Sequence, residues 1–194
     1  AHIANMGYAC FTDPSLLEGA ALYHMQPREN DPDDYVAIRL NNGESVTITN
    51  TCAANVLGIL AEGDYACGNE DSARMAIKLL ADEVGMSVED TARAILQKST
   101  DKIKPVIEDL IAKYKIERDQ IVLVGAGGGA GTLLTFTAND MGFKYQIPEN
   151  AEVISSIGVA LAMVREMVER TLPNPSAQDI AQLKKEAKEM AMNS

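Results

Sequence analysis

Five glycines in seven residues, Gly125-Ala126-Gly127-Gly128-Gly129-Ala130-Gly131, are the sharpest chemical feature of the sequence. They follow the apolar run Ile121-Val122-Leu123-Val124 and precede a helix predicted from about Thr132 to Met141. A strand, a glycine turn and a helix in that order aim backbone N–H groups at whatever sits over the helix amino terminus. The missing side chains let a ligand touch the main chain there. Glycine also serves simply to turn the chain and to pack helix on sheet, but a run this dense favours a ligand. The spacing Gly125-x-Gly127-x-x-Ala130 fits the dinucleotide fingerprint, and Glu149 lies near the end of the next strand, where a ribose-binding acid belongs. That fingerprint normally opens a sheet. Here about 120 residues precede it and only helix follows Pro148, so an NAD-binding, Rossmann-like domain is the less favoured alternative.

The other reactive groups are scattered. Cys10, Cys52 and Cys67 are widely and irregularly spaced, no CxxC occurs, and His2 and His24 are the only histidines. The thiols read as buried and reduced, and no metal site is assigned. His2, near Tyr8 and Cys10, has no visible orienting partner and reads as structural. Asp31, Asp33 and Asp34 belong to a charged, proline-containing loop, Gln26 to Asp34 (QPRENDPDD). Glu62-Gly63-Asp64 and Glu70-Asp71 fit helix capping better than a cleft. Asn50 to Asn55 (NTCAAN) enters a helix and likewise reads as a cap. There is no G-x-S-x-G, H-E-x-x-H or Walker A motif, and no catalytic residue is assigned.

The elements that position these groups alternate in type. Residues 1–34 are punctuated by Gly7, Pro14, Gly19, Pro27 and Pro32, with a helical turn or two over Leu16 to Leu22 capped by Asp13. Asn41-Asn42-Gly43-Glu44 between Tyr35–Leu40 and Ser45–Thr49 signals a β-hairpin, because its central residues tolerate positive φ. Helices are predicted over Ala53 to Ala61, over Asp71 to Val84 with Gly85 as stop, and from Ser87 to about Tyr114. Pro105 should kink or split the last of these. Ile121 to Val124 reads as a strand buried on both faces. Lys144 to Ile147 reads as a further strand after Gly142, and Ala151 to Leu172 as helix containing Gly158. Ser176 caps a final amphipathic helix. The fold class is α/β, helix-rich with a few strands.

The chain has 194 residues, 46% of them hydrophobic, and a formal charge of -11, so it can bury a core while repelling nucleic-acid phosphates. Its aromatic content, no Trp, three Phe and six Tyr, leaves little to stack on bases. No apolar run spans a membrane and no amino-terminal signal sequence is visible, which gives a cytoplasmic expectation without nucleic acid or membrane. Ala1-His2-Ile3-Ala4 lacks an initiating Met and reads as a fragment or a processed chain.

Several segments together resemble the hydantoinase/oxoprolinase family (hydantoinase A-like). Ile121 to Ala162 (IVLVGAGGGAGTLLTFTANDMGFKYQIPENAEVISSIGVALA) is similar to its carboxyl-terminal lobe. The opening AHIANMGYACF, Thr47 to Leu57 (TITNTCAANVL) and LADEVGMSVEDTARAIL within the helical stretch also match its pattern. Asn50 stands where the family usually has an acid, and two extra residues lie around Cys52.

The resemblance implies the second lobe of an actin-like (ribonuclease H-like) ATPase fold over residues 1–172, with 173–194 as a carboxyl-terminal amphipathic helix. It implies an adenine nucleotide resting on Gly127, Gly128, Gly129 and Ala130, and a hinge helix around Gly158. ATP with Mg²⁺ would open or activate a cyclic amide such as 5-oxoproline or hydantoin, so that the parent protein is an ATP-dependent amidohydrolase. The acidic phosphate loops of that fold are not found here and would belong to a missing amino-terminal lobe, leaving this part inactive alone. A second hydantoinase/oxoprolinase-type subunit is a further implied partner. The alternatives are a carboxylase subunit of the same family and a nucleotide-driven reactivase or chaperone-like module.

Overall fold

The structure is a computed structural model that describes residues 6–162, 167–171 and 173–193. Two compact units divide it, one up to Ile154 and one from Ser155 onward. The first begins with β1 (Gly7–Tyr8), a 3-10 turn (Ala9–Phe11), α1 (Pro14–Leu17), β2 (Ala21–Met25), β3 (Tyr35–Arg39) and β4 (Ser45–Thr47). These four strands form one sheet in the order β1-β4-β3-β2. β3 runs antiparallel to both neighbours, with Ile38 opposite Leu22 and Val46, while β1 lies parallel to β4. Residues 40–44 connect β3 to β4, with Gly43 at φ +86° and its N–H donating to the Leu40 carbonyl at 3.0 Å.

Helices cover this sheet. α2 (Asn50–Val56) is capped by Thr49, whose hydroxyl accepts from the Cys52 N–H. α3 (Glu70–Val84) starts at Asn69 and ends on Gly85 in the left-handed conformation that an L side chain would resist. α4 (Val88–Tyr114) starts at Ser87, with Glu89 and Asp90 in the first turn where the helix dipole favours them. Ile38, Ile77, Leu96, Cys10 and Cys52 are fully buried at the centre, where sheet, α2, α3 and α4 meet. A hydrogen bond to Cys52, and after it burial, push the Cys10 thiol far above its ordinary range.

A second sheet holds the glycine run. β5 (Val122–Val124) pairs in parallel with β6 (Lys144–Gln146), and α5 (Ala130–Met141) crosses between them. Gly142, at φ +70°, stops α5. After a 3-10 turn (Ala151–Val153) comes α6 (Ile154–Leu161). The second unit contains nearly all of α6, together with α7 (Ala177–Asn193). Ser176 and Asp179 cap α7 reciprocally: the Ser176 N–H donates to the Asp179 carboxylate, and the Asp179 N–H to the Ser176 hydroxyl.

Several expectations need correction. The turn over Leu16 to Leu22 is only α1, and Ala21 and Leu22 belong to β2, because pairing to β3 outweighs local helical preference. α4 continues unbroken through Pro105, whose exposed side leaves the freed carbonyl one turn earlier open to water. β5 is not buried on both faces: Val122 is 49% and Val124 64% exposed. Cys67 is exposed rather than buried. Residues 167–171 are not helical, while 163–166 and 172 lie outside the described residues, as does His2.

Candidate functional site

The glycine run lies between β5 and α5, and each glycine has its own reason. A Cβ on Gly125 would press into Leu134 and Ala130, so this glycine lets the helix pack on its strand. Gly127 has φ +91°, a conformation that L residues rarely adopt, and its N–H donates to the Ala151 carbonyl at 2.7 Å. Gly129 stands at the amino end of α5 with no side-chain cap, and its carbonyl accepts from the Thr132 N–H and hydroxyl. The first turn of α5 carries no acidic residue of its own.

Two residues from another loop complete the site. Tyr65 lays its ring over Gly128, where an added Cβ would stand 3.0 Å from it, yet the residue is 74% exposed. The Asp64 carboxylate occupies the place that a side chain on Gly131 would take, at the amino end of α5. Its Oδ1 accepts from the Ala66 N–H at 2.8 Å, which fixes the loop. Asn55 of α2 braces the same loop, donating to the Ala66 carbonyl at 3.0 Å and accepting from the Gly68 N–H at 2.8 Å. The resulting recess of about 110 Å³ is bounded by Gly63, Tyr65, Gly127, Gly128, Pro148 and Glu152.

Of the residues singled out in the sequence, Gly127, Gly128 and Ala130 line this recess, while Gly129 stands at the helix start beside it. Asp64, expected to cap a helix, instead accepts from the Ala66 N–H of its own loop and stands against Gly131 in the first turn of α5. Tyr65 was missed, because nothing in a linear pattern connects residue 65 to residue 128. Gly158 stands apart on α6, and a Cβ there would meet no atom within 4 Å. Glu149 is exposed in the turn after β6 and does not line the recess. Among the described residues no group of three or more His, Cys, Asp or Glu could hold a metal ion, and no helix is long and apolar enough to cross a membrane.

The arrangement can offer the Gly128 main chain to a ligand, held by the bonded turn at Gly127, and a carboxylate to ligand hydroxyls. It does not favour an anion, because Asp64 already sets a negative charge against the helix dipole.

Residues 25–168 match the hydantoinase/oxoprolinase family, and the chain belongs to it. Its fold is similar to part of a solved acetone carboxylase, a nucleotide-free structure described under the mechanism of ATP-dependent acetone carboxylation. That similarity has a TM-score of 0.50 at 16% identity and covers 89% of this chain. The chain spans 28% of that acetone carboxylase chain. No curated protein matches the sequence.

Proposed function

We propose that this chain is the adenine-nucleotide-binding second lobe of a hydantoinase/oxoprolinase-type enzyme. The observation that carries the proposal is the pairing of a bare glycine turn with Asp64 at the start of α5. Gly128 leaves main chain open to a nucleoside beside the bonded turn at Gly127, and Asp64 accepts from ribose hydroxyls while turning phosphate away. The recess of about 110 Å³ is smaller than a nucleoside, so Tyr65 swings off Gly128 and flanks the base. The phosphates and Mg²⁺ belong to the amino-terminal lobe. Gly158 is a hinge whose close-packing neighbour comes from that lobe.

In the whole enzyme ATP would activate a cyclic amide such as 5-oxoproline or hydantoin by phosphorylating its oxygen, leaving an electrophilic carbon and a good leaving group. A cytoplasmic location and a second family subunit complete the proposal. The acetone carboxylase neighbour favours a second reading, in which the chain is part of an ATP-dependent carboxylase and the activated species is an enol or bicarbonate. A nucleotide-driven reactivase would use the same lobe without small-molecule turnover.

The test is calorimetric titration with MgATP, ADP and NAD, repeated on Gly128→Val. The valine meets only the exposed Tyr65 ring, so the fold survives. Tyr65→Trp adds the only Trp in the sequence and serves as an optical reporter. Adenine-nucleotide binding that shifts its emission and is lost in Gly128→Val supports the proposal. NAD binding in place of ATP and ADP returns the site to the dinucleotide reading.

A further inference from the structure

The carboxyl-terminal half of α5 faces α4 across a cavity of about 360 Å³ that shares no lining residue with the glycine recess. That volume lies in the range that small-molecule sites occupy. Thr135 and Asn139 stand one turn apart on α5 and so line the cavity together, and Arg93 enters it from α4. Phe136, and Ile59 from the segment after α2, form an apolar wall.

Three polar groups here have nothing to bond within the protein. Thr135 is only 8% exposed, yet its hydroxyl has no hydrogen-bond partner among the described residues. Buried hydroxyls are nearly always bonded, so the partner of this one has to reach it through the cavity. The Asn139 amide and the Arg93 guanidinium are likewise without partners among the described residues. The carboxylates within helical reach of Arg93 are engaged elsewhere: Glu89 holds Arg74 at 2.7 Å, and Asp90 accepts from the Ser87 hydroxyl at 2.7 Å. Asp140 also lines the cavity, but Lys104 matches its charge at 2.6 Å. Arg93 is left as an unmatched positive charge.

We infer that this cavity is a binding site for a small organic carboxylate. The planar guanidinium of Arg93 is a fork that takes both carboxylate oxygens. The Thr135 hydroxyl and the Asn139 amide add neutral hydrogen bonds, and the hydrocarbon part of the ligand lies on Phe136 and Ile59. Phosphate suits the cavity less well, because it would meet one cation, the Asp140 carboxylate and an apolar wall. The site is independent of the nucleotide reading above.

Amide NMR titrations of the whole chain with butyrate, its uncharged counterpart butyramide, and inorganic phosphate test this. Butyrate should give saturable shifts at Arg93, Thr135 and Asn139, and butyramide should not. Arg93→Gln should weaken butyrate about 10-fold, and Arg93→Lys should recover only part of the loss. Thr135→Val should weaken it about 3-fold without lowering the melting temperature, because the hydroxyl it removes has no partner in the chain. Butyramide binding as tightly as butyrate overturns the inference, as do butyrate shifts that persist undiminished in Arg93→Gln. Phosphate binding as tightly as butyrate overturns it in favour of a general anion site. Butyrate without saturable shifts overturns it too, and an acidic peptide that moves the same residues would make the cavity a protein-docking site instead.

Discussion

The Asp64 carboxylate fills the space beside Gly131 where a side chain on that residue would otherwise stand. This couples the loop after α2 to the first turn of α5, so the start of the helix carries a negative charge borrowed from about 70 residues away. Gly131→Ala should cost about 1–3 kcal/mol by overpacking against the carboxylate. Chemical denaturation of Gly131→Ala, Asp64→Ala and the double variant would check it. Most of the loss should return in the double variant, because its clash partner is gone.

Thr100 and Thr137 bridge α4 and α5 inside the unit, with hydroxyls 2.9 Å apart and both residues buried. Thr100→Val should destabilise by about 1–2 kcal/mol, because the Thr137 hydroxyl is left buried without this partner. Thr100→Val/Thr137→Val should recover much of that loss. Urea midpoints at constant slope would measure both.

His24 and Glu83 join β2 to α3 at 2.8 Å, and hydrogen bonding to Glu83 raises the His24 pKa. A raised folded value means that the unfolded state binds fewer protons between the two values. The stabilisation is therefore complete below the unfolded histidine value of about 6.5 and fades as pH climbs through the folded one. Melting temperatures taken from pH 5 to 8.5 should fall more for the unaltered chain than for His24→Gln. The difference should shrink at high salt, since both groups are solvent-facing.

Thiol labelling should divide the three cysteines. Cys67 is exposed and should react within minutes under native conditions, while Cys10 and Cys52 should stay unmodified until the chain unfolds. Mass spectrometry after a timed maleimide pulse would read one label native and three in denaturant. Two or more native labels would place the amino-terminal segment off the core.

The readable parts of this protein are those where local chemistry and tertiary context agree. Gly85 and Gly142 end helices because only a left-handed residue closes them there, and Ser87 and Ser176 announce the helices they cap. β2 was hidden because Ala21 to Met25 has no alternation of its own and is held by pairing to β3. β5 misled in another way. Its continuous apolar run implies two buried faces, yet among the described residues the run has β6 alone for a neighbour strand. Within the site, Gly127 and Gly128 were legible from composition, while Tyr65 depends on how Asn55 holds its loop and has no trace in the linear pattern.

The start of the chain is fastened late. The Asn69 N–H donates to the Cys10 carbonyl at 2.8 Å, and the Ser72 hydroxyl to the Thr12 carbonyl, 60 positions earlier, at 2.6 Å. β1 likewise waits for β4 before it has a ladder to join. During synthesis, residues 7–12 therefore leave the ribosome without their full set of partners until α3 has followed them out. Closure of this core is set by the order in which the ribosome releases its parts, and a pause near residue 70 would leave the amino-terminal segment open to chaperones.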